Sequence, residues 1–79
     1  MISMVTAFIL VNAEVGKGAH VETSLLDIDE VKEVFSIYGV YDYIAKLETE
    51  TISGLKDIIT LKIRQIDFIR SILTLICIE

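Results

Sequence analysis

The sequence predicts one α+β domain of the ferredoxin-like βαββαβ class, in which two helices cover one face of a four-stranded antiparallel sheet. Three observations predict it. Apolar runs of strand length alternate with two stretches whose apolar residues recur at helical spacing. The chain has 79 residues, which leaves room for a single core. It is also 53% hydrophobic with a mean hydropathy of +0.64, which is high for a small domain that stands alone.

The first half of the chain predicts a strand, a helix and a second strand. Residues 4–12 are rich in Val, Ile, Phe and Thr and are too short for an independent helix. A glycine-containing segment, residues 16–18, interrupts them. Residues 31–37 alternate apolar and polar side chains with one slip in phase, which predicts the second strand. A short amphipathic helix is predicted over residues 19–28, because its apolar residues fall at i, i+4 and i+7: Val21, Leu25 and Ile28.

The second half predicts a turn, a strand, a helix and a final strand. A polar turn around Gly39 precedes a third strand over residues 41–47. Thr51 is the predicted N-cap of the second helix. That helix carries an apolar stripe formed by Ile52, Leu55, Ile59, Ile63 and Ile66. The last strand, residues 69–78, is predicted to carry apolar side chains on both of its faces, apart from Arg70, Ser71 and Thr74.

One face of the predicted sheet has no helix to cover it. The first strand is nevertheless apolar on both of its faces, with Met4, Phe8 and Leu10 pointing away from Val5, Ala7, Ile9 and Val11. An uncovered face lined with Phe and Leu requires another surface. The simplest such surface is the same face of a second copy, which predicts a two-fold dimer.

Charge and hydropathy exclude several classes of protein. The net charge is −5 and the seven Lys and Arg residues are scattered, whereas nucleic-acid binding requires a concentrated positive stripe. Neither of the terminal charge-free runs, residues 1–13 and 71–78, reaches the length of a membrane-spanning helix. Residues 5–11 lack the basic leader of a signal peptide. We therefore predict a soluble, cytoplasmic protein that contacts neither nucleic acid nor membrane directly.

Catalytic and metal-binding patterns are weak in this sequence. His20 is the only histidine, predicted on the exposed side of the first helix, and Cys77 is the only cysteine, predicted as a small buried hydrophobe. Gly16-Lys17-Gly18 lacks the rest of a phosphate-binding loop and is better interpreted as a strand-to-helix turn. The acidic residues Asp27, Asp29, Glu30 and Glu33 are typical of the solvent-exposed rim of a domain. We predict no enzyme, no metal site and no cofactor.

The segment Ile37-Tyr38-Gly39-Val40-Tyr41-Asp42-Tyr43 allows two interpretations. Gly39 permits positive φ, and the turn places a carboxylate and phenolic hydroxyls at a sheet edge, where they can hold a small ligand. In the alternative interpretation, Gly39 only permits a hairpin and Asp42 only caps it. Residue chemistry alone leaves both open.

Several segments, taken in order, resemble the effector-binding (RAM) domain of Lrp/AsnC, or feast/famine, regulators. Residues 5–11 followed by a Gly-containing bend resemble its first strand. Residues 31–37 resemble the strand before its Gly-x-Tyr-Asp turn, which here is Gly39-Val40-Tyr41-Asp42. Residues 55–66 resemble its second helix, ending in Lys62-Ile63-Arg64-Gln65-Ile66. The Pro-Gly that usually precedes strands two and four is replaced around Asp29-Glu30 and Asp67-Phe68, which we expect to change the loops and not the fold.

The resemblance implies a function and a set of site residues. Such domains bind amino acids or similar metabolites where dimers meet in octamers or decamers. A Thr-x-Thr pair in the last strand also faces the ligand in many relatives; here the first Thr is replaced by Ile, which favours an apolar effector side chain or no effector. The ligand-binding residues implied are therefore Tyr38, Gly39, Val40, Tyr41, Asp42, Ile72 and Thr74.

The resemblance also implies how the chain works. Because no helix-turn-helix segment precedes the first strand, residues 1–79 are expected to form a single stand-alone regulatory module without a DNA-binding domain. We expect a non-enzymatic amino-acid-binding module that forms homo-oligomers and pairs with full-length Lrp/AsnC regulators. Two alternatives remain: a small enzyme of the dimeric α+β barrel type, and a purely structural partner of another regulator.

Overall fold

Residues 4–78, which a computed structural model describes, form four strands and two helices in the predicted order. The sheet order is β2-β3-β1-β4, and every neighbouring pair is antiparallel, which confirms the ferredoxin-like fold. The second helix continues into a π-helical segment. The elements are β1 Val5–Ala13, α1 Gly18–Leu26, β2 Val31–Ser36, β3 Tyr43–Thr49, α2 Ile52–Ile58, the π-helical segment Ile59–Ile63 and β4 Ile69–Ile76.

The core lies between the sheet and the two helices. β1 is central, and its alternate residues are buried because they face the helices. The helices contribute the spaced apolar residues that their periodicity predicted. The fully buried side chains with the largest volumes are Ile9, Val11, Val21, Leu25, Leu47, Leu55 and Ile63.

The second helix begins where the sequence predicted and ends differently. The Thr51 hydroxyl oxygen accepts a hydrogen bond from the Gly54 N–H at 2.9 Å, which confirms the N-cap. The helix then widens, and the Arg64 N–H donates to the Ile59 carbonyl at 2.9 Å. An uninterrupted apolar stripe does not reveal such a change in pitch.

An ion pair joins the π-helical segment to the start of β2. The Lys62 ammonium lies 3.2 Å from a Glu30 carboxylate oxygen. The pKa of the Glu30 carboxyl is lowered, chiefly by a hydrogen bond from its own backbone N–H, while burial opposes this effect and Lys62 adds to it. The pair is partly exposed and contributes little to stability.

Three details of the sequence interpretation are corrected. β3 begins at Tyr43 rather than at residue 41, because Tyr41 and Asp42 belong to the turn. Ile52 is half-exposed, because it lies in the first turn of α2, away from the sheet. Cys77 is exposed and not buried, because it follows the end of β4 in the phase of Leu73 and Leu75, the face without helices.

The face of the sheet opposite the helices is largely apolar. Phe35, Leu73 and Leu75 are 50%, 44% and 47% exposed. With the half-buried Phe8, Leu10 and Ile44 they form what we call the open face. Lys46 also lies on this face, opposite Phe8, and is 3.9 Å from Glu33 and 3.8 Å from Glu48. Within residues 4–78, no helix has the length and apolar character needed to cross a membrane.

Candidate functional site

The turn between β2 and β3 is a closed hairpin with an exposed tip. The Ile37 N–H donates to the Asp42 carbonyl at 2.9 Å, which closes the loop. Gly39 has φ +137°, a conformation that other residues rarely adopt, as the sequence predicted. Tyr38 and Val40 at the tip are exposed, whereas Tyr41 is half-buried.

Asp42 extends the pairing of β1 with β3 beyond the end of the ladder. Its backbone N–H donates to the Val11 carbonyl at 2.9 Å. Its carboxylate oxygen Oδ2 accepts a hydrogen bond from the Ala13 N–H, also at 2.9 Å. The side chain thus occupies the place of a backbone carbonyl. This is a structural capping role, which was one of the two interpretations of Asp42 from the sequence. Among residues 4–78, the other oxygen, Oδ1, accepts no hydrogen bond and is available to a ligand.

A depression on the helix side of Asp42 is acidic and phenolic. Its volume is about 390 Å³, and the start of α1 closes one side of it. Glu14 and Asp42 contribute carboxylates, and Tyr38 and Tyr43 contribute aromatic rings. These groups favour a cation over an anion.

A second depression on the other side of Asp42 contains both signs of charge. It has a volume of about 370 Å³. Asp42 lies on one side and Arg70 on the other, with Asn12 and Ser71 between the two strands. The Asn12 amide donates to the Ser71 hydroxyl oxygen at 3.2 Å. We call this depression the Asp42–Arg70 pocket.

The two predicted residues of the last strand lie apart from the turn. Ile72 pairs with Val11 and Thr74 with Ile9, so β1 separates both from β3, by about 10 Å across two strand spacings. Thr74 lines a cleft of about 340 Å³ beside Leu55 and Ile59, which contains no residue of the turn. Within one chain, the structure therefore brings the turn residues together but does not bring Thr74 to them.

Three residues that the sequence did not assign to the site share a pocket with Asp42. Asn12, Arg70 and Ser71 line the Asp42–Arg70 pocket, although in the sequence Arg70 and Ser71 are only polar interruptions of an apolar strand. A pair of polar residues at the start of an otherwise apolar strand was the available signal. Which strand end they meet depends on the sheet order, which composition does not supply.

Comparison with solved structures finds the same fold in other proteins. The structure of FFRP-DM1 is 46% identical and superposes with a TM-score of 0.89, covering 94% of this chain and 99% of that one. The Neisseria meningitidis regulator NMB0573, solved as a complex with L-Met, has a TM-score of 0.85 over 95% of this chain and 50% of its own. At 17% identity it shows a shared fold alone.

Sequence comparison agrees with the structural one. The HTH-type transcriptional regulator FL11 of Pyrococcus abyssi is 39% identical over 44 residues, which are 56% of this chain. The match spans only 29% of FL11. The family model of the Lrp/AsnC ligand binding domain matches residues 6–79. The chain therefore belongs to the Lrp/AsnC ligand-binding domain family.

Proposed function

We propose that this chain is a non-enzymatic regulatory module that binds an amino acid as its effector. The family to which it belongs is a ligand-binding domain, and NMB0573 shares the fold and was solved with L-Met. The observation that carries the proposal is the position of Asp42, which lines depressions on both sides of the turn and whose Oδ1 accepts no hydrogen bond within residues 4–78.

The chemistry of the turn suits the ammonium end of an amino acid. The Ala13 N–H holds Oδ2 of the Asp42 carboxylate, so the carboxylate loses little freedom when its other oxygen, Oδ1, accepts a charged hydrogen bond. The second carboxylate, Glu14, lies in the same acidic depression. Ile72 in place of a Thr removes a hydroxyl from the last strand, so we expect an effector with an apolar side chain.

The open face supports the oligomeric part of the proposal. A dimer formed through this face removes its apolar side chains from water, which is the main driving force for association. Assembly of dimers into octamers or decamers then brings the turn of one dimer toward another. Binding at such contacts links effector concentration to assembly by mass action, which is how the module is proposed to modulate full-length Lrp/AsnC regulators.

A ligand screen with an isosteric variant tests the proposal. We expect at least one of the twenty L-amino acids to raise the melting temperature, and Asp42→Asn to weaken its binding about tenfold or more in calorimetry. Asn retains an oxygen that accepts from the Ala13 N–H, so this variant removes charge and keeps the strand pairing. Asp42→Ala is less suitable, because it leaves that N–H without its partner.

Asp57→Asn is the matched control, because Asp57 is exposed on α2, away from the turn. Unchanged affinity in Asp42→Asn removes Asp42 from the site. If none of the twenty amino acids binds, the chain acts as a structural partner, and a stable mixed complex with a regulator on co-purification is then the expected finding.

A further inference from the structure

We propose that Arg70 binds the α-carboxylate of the effector, so that the Asp42–Arg70 pocket recognises both charged groups of a free amino acid within one chain. This inference rests on the proposed function and deepens it. It assigns the recognition of the carboxylate to a side chain that the turn does not contain.

The first support is a β-bulge that singles out Arg70. Asn12 pairs with Ser71, but the next residue of β1, Ala13, pairs with Ile69. β4 therefore advances by two residues where β1 advances by one, and Arg70 is the additional residue. Such a bulge re-aims the side chain of the extra residue, and bulges are frequent beside functional sites.

The second support is the relation of this bulge to Asp42. The Ala13 N–H that accompanies the bulge is the donor that holds the Asp42 carboxylate at 2.9 Å. The same two residues of β1, Asn12 and Ala13, therefore position the anionic and the cationic side of the pocket. Both sides are attached to one sheet, which sets the separation of their backbones.

The third support is that Asp42 and Arg70 line one pocket without pairing with each other. No ion pair within 4.0 Å joins Arg70 to any carboxylate in residues 4–78, where the ion pairs are made by Lys46 and Lys62. A guanidinium can hold a carboxylate by two parallel hydrogen bonds. The Asn12 amide and the Ser71 hydroxyl lie between the two charges and add neutral hydrogen-bonding groups.

The chemical class of the effector follows from these groups. A ligand with both an ammonium and a carboxylate satisfies Asp42 and Arg70 together. A ligand in which the carboxylate is replaced by a carboxamide leaves Arg70 without its charged partner. We infer a preference for free α-amino acids over their amides, with Val15 and Val40 as apolar walls of the pocket.

Paired titrations of acids and amides test the inference. The twenty L-amino acids and their twenty α-carboxamides are titrated by calorimetry into the wild type, Arg70→Gln, Arg70→Lys and Arg64→Gln. We expect the wild type to bind an amino acid about tenfold or more tightly than its amide. Arg70→Gln weakens the binding of the acid to the level of the amide and leaves the amide unchanged, and Arg70→Lys restores part of the preference.

The variants separate this inference from the proposed function. Arg64→Gln is the matched control, because Arg64 is an exposed arginine that does not line the Asp42–Arg70 pocket. If an amino acid binds in a manner that depends on Asp42 but is unaffected by Arg70→Gln, the role of Arg70 is refuted and the proposed function stands. An equal effect of Arg64→Gln and Arg70→Gln also refutes the role of Arg70. Absence of binding to all forty compounds overturns both.

Discussion

Phe68 is a residue whose backbone conformation conflicts with its type. Its φ is +73°, in the left-handed region that costs a non-glycine residue about 1–2 kcal/mol. The position directly precedes β4, so the chain makes this turn without a glycine. The ring offsets the strain, because it lies edge-on to His20 with centroids 5.2 Å apart and beneath the Lys17 ammonium at 4.7 Å.

The order of stability among substitutions at this position is therefore unusual. Both Phe68→Gly and Phe68→Ala lose the contacts of the ring, and we expect each to destabilise the protein. Phe68→Ala retains the strained φ, so it is expected to be less stable than Phe68→Gly by about 1 kcal/mol, the reverse of the usual effect of glycine. Urea denaturation of the three proteins measures the difference. An Ala variant more stable than the Gly variant contradicts a strained backbone at this position.

The start of α1 shows how a helix and a strand fix each other's side chains. Gly18 begins the helix directly above Tyr43, the first residue of β3. A Cβ on Gly18 would lie 2.6 Å from the Tyr43 hydroxyl oxygen, which is closer than real Cβ contacts. This glycine is required by a neighbouring side chain and not by its own backbone angles, so the Gly-Lys-Gly segment is a strand-to-helix turn, as the sequence indicated.

A double-mutant cycle tests this contact. Ala has the higher helix propensity, by up to about 1 kcal/mol, yet we expect Gly18→Ala to destabilise the wild type by about 1 kcal/mol because of the clash. In a Tyr43→Phe background, which removes only the hydroxyl, the same substitution is expected to be neutral or stabilising. Chemical denaturation of the four proteins gives the coupling energy. Equal effects in both backgrounds would show that the hydroxyl does not limit this position.

At the scale of the whole molecule, one face of the sheet is not covered by helices. The helices cover the inward residues of β1 and β3, and the open face retains Phe35, Leu73 and Leu75 about half-exposed. Exposed apolar side chains that lie together on one sheet face are typical of an interface. The proposed effector response depends on this face, because binding between dimers requires that dimers form.

A charge on the open face tests the dimer. We expect Leu75→Lys to convert the oligomer into a folded 8.9 kDa monomer in analytical ultracentrifugation, because an unpaired charge buried in an interface costs several kcal/mol. Leu61→Lys is the matched control, since Leu61 is 68% exposed on the π-helical segment, away from the open face. A wild type that sediments as a monomer at micromolar concentration, or an unaffected Leu75→Lys variant, refutes the role of this face.

The elements were predictable where local rules agree with tertiary packing. The spacing of Val21 and Leu25, the capping hydroxyl of Thr51 and the positive φ of Gly39 were all predicted correctly, because each depends on residues within one or two turns of chain. The burial of Cys77 was predicted wrongly, because the face on which a strand residue lies depends on which face the helices cover.

The candidate site, too, was predictable from the sequence in part and depended on the tertiary structure for the rest. By itself, the sequence determined the order of the elements, the helix-free apolar face and the Gly39–Asp42 turn, since hydropathy periodicity and turn chemistry are local properties. Only the tertiary structure decided that Asp42 completes the β1 ladder, that Thr74 lies away from it and that Arg70, at a bulge, shares a pocket with Asp42. Those relations join residues that are about 30 positions apart in the chain, and strand order and register, which depend on the packing of the whole sheet, set them.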